Sequence, residues 1–175
     1  MLWSGSLWLR RERAVKRLGQ IVTNATARKF GYPGTLVAET DHWLVLVRPQ
    51  QPTYGALVLV CKDEGESFSA MSAAAFADMK VAVDGIEALL GHTVAYERIN
   101  YLMLMMVDLD VHFHVLPRYE GERQYGGKVF KDAGWPGQPD LATHVTLSQE
   151  ETSALAATLS AAWRPPKAEA LFESH

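Results

Sequence analysis

A short run near the middle of the chain carries side chains that can perform nucleophilic or acid–base chemistry. It begins at Asp110 and reads Asp-Val-His-Phe-His-Val-Leu-Pro-Arg, so polar and apolar residues alternate. This period of two predicts a β-strand, on which Asp110, His112 and His114 share one face at intervals of about 6.5–7 Å. The opposite, apolar face is expected to pack on a core. Pro117 is expected to end the strand and to deliver Arg118 to the rim of a pocket.

Residue types alone leave three interpretations of this polar row open. The first is a solvated strand face without a chemical role, which the apolar surroundings disfavour. The second is a metal site, because imidazole and carboxylate groups are common ligands of zinc and iron. The third is nucleophilic catalysis at phosphorus, in which one imidazole attacks and its neighbours orient the ring and bind phosphate. Spacing does not separate the last two.

The run resembles the signature of the histidine triad (HIT) superfamily, in which three histidines alternate with apolar residues. Val111 to Arg118 follows the second half of that signature. It includes the Leu-Pro-Arg ending of the branch that cleaves dinucleoside polyphosphates. Asp110 stands where the signature has its first histidine. The resemblance extends from about Phe30 to about Trp163.

The resemblance implies a nucleotide hydrolase or nucleotidyl transferase that acts at the α-phosphate. His112 would attack phosphorus and form a nucleotidyl-histidine, and water or another acceptor would then release a nucleoside monophosphate. His114 would bind phosphate or assist the leaving group. Asp110 can accept a hydrogen bond from a His112 ring nitrogen and fix the tautomer, but its charge also repels phosphate. A slow enzyme is therefore expected, in which Asp110→His raises turnover.

The same resemblance implies further residues that bind the nucleotide. Leu46 would lie against the base or ribose, and Arg48 near the ribose or phosphates, although this arginine could also face solvent. Asn100 lies near a position that touches phosphate in the family, with a strand-end hydrogen bond as the equal alternative. Arg118 completes the predicted nucleotide-binding set. No metal ligand is included in this set.

The implied partner is a nucleotide or dinucleotide, and the Leu-Pro-Arg ending favours dinucleoside polyphosphates. No cofactor is required, although a divalent cation can accompany the substrate. The family usually forms dimers, so a homodimer is expected. A first alternative is a noncatalytic or nearly inactive HIT protein that binds nucleotides. A second is a metal-dependent enzyme with Asp110, His112 and His114 as ligands, which lacks a convincing fourth ligand.

Composition limits the remaining function classes. The chain has 175 residues and a formal net charge of −3, which gives no general attraction to nucleic acid or anionic membranes. The single cysteine, Cys61, excludes an internal disulfide and fits a reducing compartment. No apolar run approaches the roughly 20 residues that span a bilayer. The expected location is therefore the cytoplasm.

The predicted fold is α+β, with an antiparallel sheet of about five strands. A long helix begins after Ser72 and ends near Gly91, and a C-terminal helix follows a capping box that starts at Ser148. Both helices are expected to pack on the sheet. Residues 1–29 carry seven Lys and Arg against one acid and are predicted to form a basic, helical N-terminal extension. Residues 30–165 would form the HIT-like domain, and residues 166–175 a C-terminal tail.

Overall fold

A computed structural model of the chain describes residues 24–164 and confirms the α+β class. Helix α1 is Ala25–Lys29, α2 is Ala73–Thr93 and α3 is Gln149–Ala162. The strands are Leu36–Glu39 (β1), Trp43–Val47 (β2), Gln50–Gln51 (β3), Leu57–Cys61 (β4), Arg98–Leu102 (β5), His112–Arg118 (β6), Glu122–Tyr125 (β7), Lys128–Lys131 (β8) and Val145–Thr146 (β9).

The main sheet has five antiparallel strands in the order β1-β2-β4-β6-β5. Its β6 strand carries the histidine run and is hydrogen-bonded to β4 on one side and to β5 on the other. Helices α2 and α3 cover one sheet face and form the larger core with it. A smaller apolar cluster lies on the other face; its buried members are Ala27, Leu44, Leu46, Val58 and Val60.

The predicted alternation along β6 is confirmed. Val115 belongs to the helix-covered core, so His112 and His114 stand on the opposite face. The prediction that Pro117 ends the strand is wrong, because β6 continues to Arg118. Strand β4 pairs with β6 only as far as Val115. Pro117 therefore lies where β6 has a single neighbour, and a missing N–H is tolerated there.

Helix α2 begins as predicted, because the Ser72 hydroxyl accepts a hydrogen bond from the Ala75 amide at 3.1 Å. The helix continues beyond Gly91 to Thr93. The Phe76 side chain in its first turn is 41% exposed and contributes little to the core. Small residues occupy several of the buried positions on this helix; they are Ala75, Ala82 and Gly85.

Helix α3 also begins as predicted, with both hydrogen bonds of the capping box between Ser148 and Glu151. Its C-terminal residue Trp163 packs directly on Gly85 of α2, where an added Cβ would overlap the indole ring. Gly85 therefore permits close approach of the Trp163 ring to α2. The contact joins the two helices that cover the core.

Two segments differ from the sequence-based expectation. The polar stretch after Arg118 forms the β7–β8 hairpin, whose turn contains Gly126 and Gly127 at positive φ. Residues 24–29, assigned to the N-terminal extension, contain α1 and pack on the sheet. The rest of the predicted extension and tail lies outside the described residues. No helix within residues 24–164 is long and apolar enough to cross a membrane.

Candidate active site

The sheet register places two imidazoles among aliphatic side chains on the less covered face. His114 lies opposite Val58 of β4, which in turn lies opposite Leu46 of β2. His112 lies opposite Val60 in the neighbouring row. Directly opposed residues of antiparallel strands point to the same face. The predicted contact residue Leu46 therefore shares a row with His114, and it is fully buried.

The two imidazole rings form a compact pair. Their centroids are 5.2 Å apart and their planes are nearly perpendicular, at 85°. The Phe30 ring packs against both, with centroid distances of 6.1 Å to His112 and 5.7 Å to His114. His112 has no exposed surface, and His114 is 7% exposed. No local pattern predicts this role of Phe30, because it is distant from the histidines along the chain.

The main chain determines the tautomer of His112. Its Nδ1 lies 2.8 Å from the carbonyl oxygen of Asp110. A carbonyl oxygen can only accept a hydrogen bond, so Nδ1 carries the hydrogen. In the neutral ring, Nε2 then carries the lone pair. This Nε2 atom is buried and has no hydrogen-bond partner among the described residues.

The Asp110 carboxylate does not orient His112, contrary to the contact expected from the sequence. Its Oδ2 accepts a hydrogen bond from the Thr26 amide of α1 at 2.9 Å. Asp110 precedes β6 and lies in a bend, so the strand alternation does not determine where its side chain points. The orienting group is the carbonyl oxygen of the same residue, which a residue of any type would supply.

His114 is neutral near pH 7. Burial, the positive charge of Arg48 and the neighbouring His112 lower its pKa from 6.5 to about 4, while Asp108 opposes the shift. Lys29 adds a smaller lowering effect. A neutral ring still has one N–H donor and one acceptor. The Nδ1 atom of His114 is buried without a partner in residues 24–164.

Arg48 supplies a buried cation beside His114. Its Nη1 donates to the carbonyl oxygen of Gln50, while its Nε has no partner within the described part of the chain. Burial lowers the pKa of Arg48. Buried polar atoms are normally hydrogen-bonded. Four described side-chain atoms are exceptions, and three of them belong to this site: Arg48 Nε, His112 Nε2 and His114 Nδ1.

Comparison with solved structures identifies the architecture. A histidine triad protein from Sinorhizobium meliloti 1021 superposes with a TM-score of 0.59 and 18% identity, covering 77% of this chain and 90% of that one. The C. elegans NitFhit protein gives 0.56 and 16%, covering 74% of this chain and 27% of the longer protein. The chain has the histidine triad fold. No protein-family model and no curated protein matches the sequence.

A third similar structure is that of a Plasmodium falciparum diadenosine triphosphate hydrolase in complex with cyclomarin A. It gives a TM-score of 0.56 at 10% identity, covering 74% of this chain and 76% of that one. These identities establish the fold, and the resemblance predicted from the sequence is confirmed at that level. Because one fold hosts different functions, the fold alone does not establish an activity, and the side chains of the site decide which chemistry is possible.

Arg118 and Asn100 come together in this histidine triad fold, but as part of another cluster. Arg118 Nε lies 2.5 Å from Oδ2 of Asp132, and its Nη2 lies 3.1 Å from Oδ1. Its remaining contacts are with Asn100 Oδ1 at 2.8 Å and the Gly137 carbonyl at 3.2 Å. The Arg118 and Asp132 side chains are 4% and 2% exposed. Arg118 therefore does not reach a pocket rim; it anchors the loop after β8.

The proposed metal ligands do not converge in the histidine triad fold. Among residues 24–164, no group of three or more His, Cys, Asp and Glu is arranged to hold a metal ion. The Asp110 carboxylate is bonded to α1, while His112 and His114 point from the sheet. The donor arrangement therefore does not fit the metal-dependent alternative.

Proposed function

We propose that this protein is a nucleotide hydrolase or nucleotidyl transferase that acts at the α-phosphate through a covalent intermediate on His112. The observation that carries the proposal is the state of this ring. Its Nδ1 donates to the Asp110 carbonyl, and its buried Nε2 has no partner among the described residues. Such a ring presents an oriented lone pair. The likeness to a protein named as a diadenosine triphosphate hydrolase supports this choice of substrate class.

The proposed reaction has two displacements at phosphorus. The Nε2 lone pair forms a bond to the α-phosphorus, the bond to the bridging oxygen breaks, and the leaving group departs with that electron pair. Water then attacks the phosphorus, the N–P bond breaks, and its electron pair returns to Nε2. The proton of the water passes to solvent. This route divides one difficult displacement into two easier ones.

Two neighbours supply the polar contacts that the phosphate needs. Arg48 offers a positive charge and an Nε–H donor that has no partner among residues 24–164, and charge-assisted hydrogen bonds to phosphate are strong. His114, whose pKa is about 4, is neutral and serves as a hydrogen-bond donor rather than as a general acid. Leu46 offers an apolar surface for the base or ribose. Arg118 and Asn100 are left out of this proposed phosphate site because Arg118 donates hydrogen bonds to both Asn100 and Asp132.

The remaining sequence-based expectations become parts of this proposal. Dinucleoside polyphosphates are the proposed substrates, with no cofactor beyond a divalent cation carried by the nucleotide. The protein is proposed to act as a cytoplasmic homodimer. Chelation with EDTA should therefore lower turnover only by removing the divalent cation that the nucleotide carries. Sedimentation equilibrium tests the dimer, and elemental analysis of the purified protein tests the metal alternative.

A single-turnover experiment tests the covalent step. Excess protein is mixed with diadenosine triphosphate labelled at the α-phosphates and quenched in alkali, because a phosphoramidate on histidine is labile in acid. The wild-type protein should carry label, and His112→Asn should carry none. His92→Asn is the matched control, because His92 is an exposed histidine on α2 and its loss should leave the label unchanged.

The outcomes separate the two function classes. Release of AMP without labelled protein would overturn the covalent mechanism. The complete burial of His112 favours a second candidate, a noncatalytic nucleotide-binding protein. That candidate predicts saturable binding of diadenosine triphosphate with neither label nor AMP, and this result would replace the enzyme proposal.

A further inference from the structure

A short segment before β1 lies on the sheet face that carries the histidines. This covering segment comprises Asn24–Phe30 and contains α1. Its first tie is the Asn24 side-chain amide, which donates to the Cys61 carbonyl at 2.9 Å. Its second tie is the Thr26 amide, which donates to the Asp110 carboxylate at 2.9 Å. Both bonds join the covering segment to parts of the chain distant in sequence.

The far end of the covering segment reaches the imidazole pair. Lys29 forms an ion pair with Asp108 at 2.6 Å, in the loop that leads to β6. Phe30 follows at once and packs against His112 and His114. The ties therefore hold one aromatic ring against both imidazoles.

A five-residue helix has no stability of its own, because helices shorter than about 12–15 residues are marginal in water. The position of α1 therefore depends on its caps and ties. Asn24 Oδ1 accepts from the Ala27 amide at 2.7 Å, and Asp110 accepts from the Thr26 amide. These bonds satisfy N–H groups of the first turn that otherwise have no partner within the helix.

We propose that Asp110 is a positioning residue that acts through the covering segment. Its carboxylate holds the segment on the sheet, and the segment holds Phe30 against the imidazole pair. The carbonyl oxygen of the same residue accepts a hydrogen bond from the His112 ring. The main chain of residue 110 therefore orients the imidazole, and its side chain holds the covering segment that lies on this imidazole. This inference concerns the nucleotide-free protein and does not depend on the proposed reaction.

The proposal changes the expected outcome of one substitution. A histidine at position 110 keeps the main-chain carbonyl but removes the carboxylate that holds Thr26. Asp110→His should therefore loosen the covering segment, an effect that the sequence-based expectation of a completed histidine cluster does not include.

The charged and titratable groups that face His114 are Arg48, His112, Asp108 and Lys29. Burial is the largest cause of its lowered pKa, and Lys29 of the covering segment lowers it further. Release of the segment would hydrate His114 and move Lys29 away, so both effects would raise the pKa. Direct loss of the Asp110 charge has the opposite sign, because a nearby negative charge favours protonated imidazole. The sign therefore separates the two causes.

The test is an NMR titration of the histidine ring protons in the full-length protein without nucleotide. The wild-type His114 should titrate near its pKa of about 4, and Asp110→Ala should raise the midpoint by at least about one unit. Asp110→Asn keeps a side-chain oxygen acceptor and should restore the wild-type midpoint to within about half a unit. Asp84→Ala is the control, because Asp84 pairs with Lys80 on the outer face of α2.

Hydrogen exchange of the Thr26 amide provides a readout in the wild type itself. The proposal requires this amide to exchange at least about tenfold more slowly than an unstructured amide. Thr26→Pro removes the donor from the other side and should raise the His114 midpoint as Asp110→Ala does. A free Thr26 amide, or an unchanged or lowered midpoint in a folded Asp110→Ala protein, would overturn the proposal. The single-turnover labelling of His112 is scored separately and can succeed or fail in either case.

Discussion

The two ends of β6 carry polar clusters of opposite kinds. At one end, the cluster formed by His112, His114 and Arg48 of the adjacent β2–β3 connection has buried nitrogens without partners in residues 24–164. At the other end, Arg118 makes four side-chain hydrogen bonds, two of them to Asp132. Each cluster includes residues of β6 that were predicted to belong to the nucleotide site. The difference is that the first cluster retains free hydrogen-bonding capacity and the second has used it.

This comparison separates a ligand site from a structural anchor. A buried donor or lone pair without a partner carries a cost of about 1–3 kcal/mol, which a ligand can remove. A buried ion pair whose hydrogen bonds are satisfied gains nothing from a ligand, and it is strongly destabilising only when one member is removed. Substitutions should therefore affect binding at the first cluster and stability at the second.

The largest expected effect on stability is that of Arg118→Met. It leaves the Asp132 carboxylate, which is 2% exposed, without its counter-ion. The free energy of unfolding should fall by about 3–5 kcal/mol, as measured by urea denaturation. Arg118→Met combined with Asp132→Leu should recover much of this loss because no buried charge remains. Normal stability with nucleotide affinity weakened more than tenfold would instead place Arg118 in the binding site.

The next effect is a pH dependence caused by His114. Its pKa is about 4 in the folded protein against 6.5 as the reference for the unfolded chain. Between these values the unfolded state binds more protons, so stability falls as pH decreases from 6.5 to 4. The loss is at most roughly 3 kcal/mol. His114→Gln should remove it, whereas the exposed-site variant His92→Gln should keep it. Equal pH slopes for wild type and His114→Gln would contradict the prediction.

Arg48→Met tests the cluster with free hydrogen-bonding capacity. Loss of a hydrogen bond to a charged group is worth about 1.5–3 kcal/mol, which corresponds to binding of diadenosine triphosphate weakened roughly 10–100-fold. Calorimetric titration measures this affinity. Arg164→Met is the control, because Arg164 is exposed and follows α3. If Arg48→Met unfolds as readily as Arg118→Met yet binds normally, the two clusters are not distinct.

The smallest expected effect is that of Asn100→Ala. It removes one acceptor from Arg118 while the bonds to Asp132 remain. The free energy of unfolding should fall by about 1 kcal/mol, with nucleotide affinity unchanged. An affinity loss of tenfold or more would show that Asn100 binds phosphate, as the family resemblance implies.

Local patterns accounted for the parts of the fold that the sequence predicted. The alternation of β6 and the caps at Ser72 and Ser148 each depend on residues within a few positions. The contacts that define the two clusters are long-range. Thr26 and Asp110, for example, are 84 positions apart. No periodicity or spacing in the sequence reports such a pair.

The same reason explains why the side-chain contacts of Arg118 and Asp110 differ from those expected. Residue type correctly marked each as polar and functional-looking, but type does not reveal the partner. Asp132 lies just after β8, and nothing in its neighbours predicts a buried carboxylate. The shared face of His112 and His114 was predicted correctly because a strand determines the direction of its own side chains.

The position of β6 between two other strands limits how the length of this strand can change. With a neighbouring strand on each side, the strand cannot gain or lose a residue without rotating every later side chain to the opposite face. One inserted residue between His112 and His114 would turn the His114 imidazole toward the core beneath α2. A change of length there should therefore separate the two imidazoles even when both histidines are kept.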